Sequence, residues 1–246
     1  MLQIKDLTYI VDEGNEKKTI IDNLTLDIAD SKFTVITGPN GGGKSTLAKL
    51  IAGIIKPTSG KILLDDENIT DMSITDRALR GISYAFQQPV KFKGLQVFDL
   101  LKIAAGKDTK LSFNDACTYL SEVGLCARDY INREVNASLS GGELKRIEIA
   151  TVLARGTKMS VFDEPEAGID IWSFQNLTRI FENMRKNITD SGIVIISHQE
   201  KILRIADEIV VLADGKIRMQ GEGSEILPKI MGTPDAATVC EKIQGV

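Results

Sequence analysis

The sequence predicts an α/β fold: a parallel sheet with helices, preceded by an antiparallel β subdomain and interrupted by a helical subdomain. Three observations support it. Short apolar runs at residues 33–37, 159–162 and 193–196 are typical of strands buried on both faces of a parallel sheet. Helical patterns precede and separate the last two runs, as in alternating α/β chains. Between residues 89 and 139 strand patterns vanish and apolar residues recur at helical spacing.

The chain is expected to begin with antiparallel strands. Residues 20–28 alternate apolar and polar side chains most clearly, and a polar loop is predicted at residues 12–18. The strand at residues 33–37 leads through a glycine-rich loop into an amphipathic helix. A further strand is predicted at residues 61–64, after a turn rich in proline and glycine. The helix is indicated by apolar residues at helical spacing, which are Leu47, Leu50, Ile51 and Ile54.

The chain is predicted to be one domain with three parts. The α/β core with its N-terminal β subdomain takes residues 1–88 and 140–223, and a hairpin is predicted around Gly215. The helical subdomain takes residues 89–139. Residues 224–246 are expected to form a helical C-terminal tail.

The glycine-rich loop is a complete GxxxxGK[ST] phosphate loop between a strand and a helix, in the required order. Glycines let consecutive backbone N–H groups face phosphate oxygens, and the helix N-terminus adds a partial positive charge. Lys44 is predicted to reach the β and γ phosphates of a nucleotide, and Ser45 to hold Mg²⁺. A plain glycine turn before a helix is the alternative. The residues predicted to hold the nucleotide are Asn40, Gly41, Gly42, Gly43, Lys44, Ser45 and Thr46.

Polar side chains follow two other predicted strands. Asp163 and Glu164 come at the carboxyl end of one, where α/β sheets bind ligands, so Asp163 is suited to orient Mg²⁺ and Glu164 to polarise an attacking water. The structural alternative is that both cap the following helix. His198, the only histidine, follows the strand at residues 193–197. We expect it to sense phosphate or take part in catalysis, because three strand ends would surround one nucleotide.

A second anion-binding element precedes the helix predicted at residues 144–153. Ser140, Gly141, Gly142 and Glu143 open that helix, yet one nucleotide does not need two such cradles. The segment resembles the signature motif of ABC-type ATPases. The resemblance implies that it faces the γ-phosphate held by an opposing subunit, in a transient, ATP-dependent, head-to-tail dimer of the chain with itself.

Two further positions match these ATPases in order, and the resemblance covers nearly the whole chain. Gln87 is similar to the Q-loop glutamine, and we prefer it to Gln88 because it directly follows an aromatic residue. Asp170 lies in a segment similar to the D-loop and is expected to contribute to nucleotide binding. The resemblance implies the ABC ATPase fold, with ATP and Mg²⁺ as cofactors and Ser45, Gln87 and Asp163 around the metal.

The same resemblance assigns the catalytic and adenine-binding positions. Glu164 and His198 are the implied catalytic pair. Val11 aligns where many members stack an aromatic residue on adenine, and it could still pack on the base. Tyr9, on the same strand face, is expected to belong to the core.

Several segments distinguish this sequence from most ABC-type ATPases. The signature ends in Glu143 rather than glutamine and continues Leu144-Lys145-Arg146; residues 130–136 and 170–174 are also distinctive. Together they resemble SufC-type ATPases, which energise iron–sulfur cluster assembly on a soluble scaffold. Residues 165–167 depart from the bacterial SufC-type pattern and resemble a minimal, archaeal-looking branch. The implied partner is a SufB-like soluble scaffold protein.

Two alternatives remain at this point. A nucleotide-binding subunit of a membrane transporter would use the same nucleotide chemistry with a different partner. A non-catalytic ATP-dependent clamp would need neither Glu164 nor His198, and both are present.

Composition limits the possible partners. Lys and Arg total 30 against 34 Asp and Glu, and a net charge of -4 gives no electrostatic reason to expect nucleic acid or an anionic membrane as a direct partner. No signal peptide or membrane span is predicted, so we expect a cytoplasmic protein without direct membrane insertion. The three cysteines, Cys117, Cys126 and Cys240, lack metal-ligand spacing and are expected to be reduced, buried thiols. Any iron–sulfur cluster is therefore expected on the partner.

Overall fold

The computed structural model of the protein describes residues 1–14, 16–106, 109–187 and 189–232. The strands of this part of the chain are β1 (Leu2–Glu13), β2 (Glu16–Ile28), β3 (Phe33–Thr37), β4 (Ser59–Leu64), β5 (Glu67–Asn68), β6 (Ile82–Ala85), β7 (Met159–Asp163), β8 (Gly192–Ile196), β9 (Glu208–Ala213) and β10 (Lys216–Glu222). The helices are α1 (Lys44–Ala52), α2 (Ile74–Leu79), α3 (Val97–Ala105), α4 (Phe113–Glu122), α5 (Ala127–Tyr130), α6 (Gly141–Arg155), α7 (Ile171–Lys186), α8 (Glu200–Leu203) and α9 (Gly223–Met231).

Two sheets form the frame of the molecule. The smaller is antiparallel, with strand order β2-β1-β4-β5. The larger has the order β10-β9-β3-β8-β7-β6, and its strands are parallel except for the hairpin strand β10. Because β8 pairs with both β3 and β7, the carboxyl ends of these three strands meet at one edge, as predicted. The predicted α/β fold is confirmed.

The larger sheet lies between two hydrophobic clusters. One face packs against α1 and the antiparallel sheet, through residues such as Ile36, Leu47 and Val161. The other packs against α6, α7 and the helices between residues 97 and 130, through residues such as Val35 and Phe162. Strands buried on both faces need continuous apolar runs, which is the pattern that predicted them. The helices α3, α4 and α5 lie within the predicted subdomain and share the second cluster with the core.

The predicted polar loop at residues 12–18 is wrong. β1 continues to Glu13 and β2 begins at Glu16, with Asp12 opposite Lys17 in the ladder. Gly14, with φ of +68°, lies in the turn between the strands. The ribbon is largely exposed there, so its strands need no apolar face and polar residues do not mark a loop.

The structure also corrects two smaller expectations and describes part of a third. The helix predicted at residues 144–153 begins earlier, at Gly141, because Ser140 caps it. Cys126 is exposed rather than buried, since it occupies the N-cap position of α5 at the surface. The helical tail begins as α9, whereas residues 233–246, including Cys240, lie outside the described residues. None of the described helices has the length and apolar character needed to span a membrane.

Candidate nucleotide-binding site

The phosphate loop connects the carboxyl end of β3 to α1. Gly41 and Gly43 have φ angles of +80° and +99°, which favour glycine. A Cβ atom on Gly38 would lie 2.0 Å from the carbonyl oxygen of Leu212, so β9 leaves no room for a side chain. The loop is therefore held in a tight curve that ends at the N-terminus of α1, where an anion is favoured. Along this curve and the first turn of α1 lie Asn40, Gly41, Gly42, Gly43, Lys44, Ser45 and Thr46.

Lys44 is folded back over the loop. Its side chain is buried, and its Nζ atom donates to the carbonyl oxygens of Gly38 and Pro39, each at 2.9 Å. Burial lowers the pKa of Lys44, although the carboxylates of Glu164 and Asp163 oppose this shift. An incoming phosphate would offer the ammonium group a stronger, charged acceptor than two neutral carbonyls.

Asp163 is a buried carboxylate with neutral hydroxyl partners. It is 3% exposed at the end of β7; Ser45 Oγ donates to its Oδ1 at 2.8 Å and Tyr84 Oη donates to its Oδ2 at 2.8 Å. Burial, followed by the hydrogen bond to Asp163, raises the pKa of Tyr84, which therefore stays a donor. Oxygen atoms of this kind suit Mg²⁺, with substrate phosphates completing the coordination. Consistently, no group of three or more His, Cys, Asp or Glu residues in the described part of the chain could hold a metal by itself.

Glu164 and Gln87 are in contact. Gln87 Nε2 donates to Glu164 Oε2 at 2.6 Å, so the Q-loop-like residue reaches the proposed catalytic carboxylate. Glu164 has φ of +44°, a backbone conformation that is costly for a residue with a Cβ atom and is concentrated at functional sites. Its N–H donates to the Ile196 carbonyl at 3.0 Å, which ties the end of β7 to β8. Gln87 thus contacts Glu164, and Ser45 contacts the preceding residue, Asp163. The metal and catalytic roles of these residues stay predictions.

His198 lies at the same edge, in the loop after β8. Its ring is exposed, and its Nε2 is 3.3 Å from Gln199 Nε2. The preceding residue, Ser197, is fully buried and donates its hydroxyl to Glu166 Oε1. Glu166 therefore links the loop that carries His198 to the segment after Glu164.

The signature segment forms the N-terminus of α6. Ser140 Oγ accepts from the Glu143 N–H at 3.2 Å, and the Ser140 N–H donates to Glu143 Oε2 at 2.6 Å. This reciprocal capping box explains why α6 starts at Gly141. Ser140 and Gly141 are exposed, so this anion-binding end faces solvent. A Cβ atom on Gly141 would lie 3.2 Å from the Gly168 carbonyl, which places the D-loop beside the signature.

The carboxylate of Glu143 is engaged within its own chain. It accepts from the Tyr130 hydroxyl and lies 3.6 Å from Arg133. Burial pushes its pKa upwards, but hydrogen bonds from Tyr130 and Ser140 hold the pKa of Glu143 below its usual value. A charged Glu143 therefore fixes the start of α6. Its place among the nucleotide-binding residues stays a prediction.

Asp170 caps α7 and so fixes the direction of the D-loop. Its Oδ1 accepts from the N–H groups of Trp172 and Ser173, each at 2.9 Å, and Ser173 Oγ donates to its Oδ2 at 2.7 Å. Val11 lies in the β1–β2 ribbon opposite Lys18 and is half-buried, and its contact with adenine stays a prediction. Tyr9 packs against the core, as expected.

Sequence reasoning missed four residues of this region. Tyr84 and Glu166 bond to residues at the site, and Lys145 and Glu148 of α6 contact the segment before Gln87. Tyr84 had a usable signal, since it lies three residues before Gln87 in a strand that ends at the site. The other three are charged residues in positions that normally face solvent.

The arrangement suits phosphoryl chemistry. An oxygen-lined metal position, a buried lysine and glycine backbone N–H groups would hold a triphosphate, while Glu164 would act as base towards water. Mg²⁺ bound at Ser45 and Asp163 would neutralise charge developing on phosphate oxygens. The exposed signature end of this chain takes no part in this arrangement, and its binding of an anion stays a prediction.

Comparisons with known proteins agree with a nucleotide-binding site at this position. The family described as ABC transporter matches residues 21–167. An uncharacterised ABC transporter ATP-binding protein of Methanocaldococcus jannaschii is 34% identical over 92% of this chain and 90% of its own length. The probable ATP-dependent transporter ycf16 of Antithamnion sp. is 31% identical over 94% of each chain. A dimeric ATP-binding cassette solved with ADP and Pi superimposes with a TM-score of 0.78 at 24% identity, covering 90% of this chain and 98% of its own. The chain therefore belongs to the ABC transporter family, as an ATP-binding cassette that binds ATP with Mg²⁺ and hydrolyses it.

Proposed function

We propose that this chain is the ATP-hydrolysing subunit of a SufBC-like complex, in which it drives iron–sulfur cluster assembly on a soluble, SufB-like scaffold. One observation carries the proposal. Three residues that resemble SufC-type ATPases, Tyr130, Arg133 and Glu143, form one contact cluster, in which the Arg133 guanidinium lies 5.2 Å from the centre of the Tyr130 ring. The cluster fixes the signature helix, so these departures from the commoner ABC pattern act as a unit rather than singly.

The working unit would be an ATP-dependent, head-to-tail dimer. Ser140 and Gly141, which are exposed, and Gly142, which is buried behind them, form a helix end that would meet the γ-phosphate held by a second copy. The likeness to a cassette solved as a dimer supports this assembly. Each phosphate loop would then lie against the signature of the other copy, and hydrolysis would release the pair.

The scaffold would dock in an apolar groove beside Gln87. The groove, with a volume of about 220 Å³, lies between the Q-loop and α3 and is lined by Phe86, Val90, Phe92, Leu100 and Ile103, among others. Four of these side chains, all but Leu100, are exposed although large and apolar. Exposed apolar patches of this kind mark interaction sites. Closure of the dimer would move two such grooves together and deform a partner bound to both.

A membrane transporter subunit is the second candidate. The names of the related proteins favour it, since they describe ABC transporter ATP-binding proteins or ATP-dependent transporters. The same groove would then hold a cytoplasmic segment of a membrane protein. Nucleotide chemistry would be identical in the two cases, so the partner alone separates them.

Affinity purification from native extract under anaerobic conditions, with mass spectrometry of the co-eluting proteins, tests the proposal. We expect a β-rich, non-membrane scaffold at near-equal stoichiometry. Phe92→Asp, in the groove, should lose that protein. The control Phe113→Asp makes the same change outside the groove, at the first turn of α4, where the side chain is 55% exposed against 37% for Phe92, and it should retain that protein. Co-elution of a multispanning membrane protein instead would contradict the scaffold proposal and support the role of a transporter subunit.

A further inference from the structure

An ion pair on α6 forms hydrogen bonds with the backbone of Phe86, the residue before Gln87. Lys145 is 1% exposed, and its Nζ donates to the carbonyl oxygen of Phe86 and lies 3.2 Å from Glu148 Oε2. The other oxygen of that carboxylate, Glu148 Oε1, accepts from the Phe86 N–H at 3.1 Å. Both backbone groups of Phe86 are therefore held by one pair of charged side chains. We call these three residues the α6 clamp.

Burying the charged groups of the clamp costs free energy that an exposed helix pair would not cost. A buried ammonium group is strongly destabilising unless it is paired and fully hydrogen-bonded. Burial raises the pKa of Glu148, and the charge of Lys145 opposes that rise. An isolated i,i+3 ion pair stabilises a helix only weakly. Holding Phe86 is thus the feature that distinguishes the clamp from an ordinary helix pair.

The clamp connects two parts of the catalytic machinery. Towards the N-terminus, α6 continues to Ser140 and the signature end. Beyond Phe86, the next residue, Gln87, donates to Glu164 Oε2 at 2.6 Å. We infer that Lys145 and Glu148 are positioning residues, which transmit the position of the signature helix through Phe86 and Gln87 to the catalytic Glu164 of the same chain.

This inference rests on the proposed dimer. There, the signature end of one copy binds the nucleotide of the other copy, whereas its clamp acts on Glu164 in its own site. Occupation of one site would therefore position the catalytic carboxylate of the second site. Energetic coupling between two sites is reciprocal, and for two sites the Hill coefficient can rise to about two.

Lys145→Met tests the clamp, because methionine fills similar space but cannot donate to Phe86. The control is Lys186→Met, the same change at an exposed position on α7. We expect ATP hydrolysis by the unchanged protein and by the control to be cooperative, with a Hill coefficient above about 1.5. In Lys145→Met it should fall towards 1 and kcat should drop about 10- to 100-fold, because part of the contribution of a positioned general base is lost.

A second variant separates positioning from simple support of the fold. Glu148→Gln keeps an acceptor for the Phe86 N–H but cannot balance the charge of Lys145, so we expect an intermediate Hill coefficient. Thermal unfolding of each variant reports on stability alone. If Lys145→Met melts earlier but keeps the Hill coefficient of the control, the clamp is structural and the inference is wrong.

A measurement of dimerisation distinguishes an error in the proposed dimer from an error in the role of the clamp. ATP-dependent dimerisation is measured by size-exclusion chromatography with light scattering, in a Glu164→Gln background that slows hydrolysis. No dimer in that background refutes the proposed assembly. A dimer that forms normally, together with non-cooperative hydrolysis by the unchanged protein, refutes only the clamp.

Discussion

Single side chains at the strand ends decide what the site can do. Glu164 is the residue that we predict to act on water, because it directly follows Asp163, the predicted metal position, and is held by Gln87. Its left-handed backbone, with φ of +44°, turns the chain away from β7 immediately after Asp163. Such strain persists only where the surrounding structure enforces it, and here the bond from the Glu164 N–H to Ile196 does so.

Glu164→Gln should keep ATP binding and the closed dimer but lower ATP turnover by about two to four orders of magnitude, as expected for the loss of a general base. A phosphate-release assay and equilibrium ATP binding measure the two properties. Glu182→Gln, the same change on α7, is the control. Turnover unchanged in Glu164→Gln would rule out the role assigned to Glu164 and revive the non-catalytic alternative.

The environment of Glu166 predicts how the free energy of unfolding depends on pH. It is 9% exposed; Ser197 donates to one of its oxygens, whereas the other oxygen, Oε2, is buried with no hydrogen-bond partner. Burial raises the pKa of Glu166, against the effects of the Ser197 hydrogen bond and of His198, while Glu164 adds to the rise. A carboxyl group whose pKa is higher in the folded state binds a proton more readily there. The free energy of unfolding therefore falls as pH rises through the interval from the ordinary value, 4.5, to the folded one.

Glu166→Gln should remove that dependence. Relative to the unchanged protein, the variant should gain little below pH 4.5 and gain progressively as pH rises from there through the folded pKa, by about 1.4 kcal/mol in total for each unit by which the folded pKa is raised. Urea unfolding across this pH range gives the difference. A gain that is constant with pH would mean that Glu166 titrates alike in the folded and unfolded chains.

At the scale of elements, α6 and α7 pack closely where the signature meets the D-loop. Gly142 lies in the first turn of α6, and a Cβ atom there would be 2.3 Å from Ser173 Oγ and 2.7 Å from Ser173 Cβ. Ser173 is itself fixed by its hydrogen bond to Asp170. The glycine is thus required by a neighbouring helix, in addition to any role towards phosphate.

Gly142→Ala should destabilise the protein by about 1–3 kcal/mol through overpacking against Ser173. In a Ser173→Gly background the same change should be neutral or stabilising, because alanine is favoured over glycine in a helix by about 1 kcal/mol. A double-mutant cycle from urea unfolding measures the coupling. Additive effects would show that Ser173 is not the cause of the conflict.

The elements show what sequence patterns can and cannot predict. Buried strands such as β3 and β7 were predictable, since burial on both faces demands apolar side chains throughout. The exposed ribbon at residues 12–18 was not, because its strands are held by ladder hydrogen bonds and carry no apolar pattern. The predicted start of α6, residue 144, lies after the observed start, Gly141. Glycines are poor helix formers, and the capping box overrides that propensity.

Charged residues inside the structure set a further limit. Lys145 looks like a solvated helix residue in the sequence, and its burial depends on the distant Phe86, 59 positions earlier. Glu166 likewise depends on Ser197, 31 positions later. The motif residues of the site were predictable because their spacing relative to strands is local. Their supporting contacts were not, since those arise only when the sheet is assembled.

At the scale of the whole molecule, the strand order explains why one site forms from three distant segments. β8 pairs with both β3 and β7, so the phosphate loop, Asp163 and the loop of His198 reach the same edge. The signature lies at the N-terminus of α6, beside the D-loop, and is open to solvent. The proposed head-to-tail dimer would place this exposed helix end of one copy against the nucleotide site of the other.

Trp172, the only tryptophan of the chain, can report on that association. It is 73% exposed directly after the D-loop, beside Ile171, which is 68% exposed. In Glu164→Gln, ATP should raise the mass from 26.9 kDa towards twice that value and shift the Trp172 emission to shorter wavelength, because head-to-tail closure removes this pair from water. Lys44→Met, which loses the phosphate-binding ammonium, is the control and should show neither change. Doubling of the mass with unchanged emission would place the interface away from the D-loop and contradict the head-to-tail arrangement.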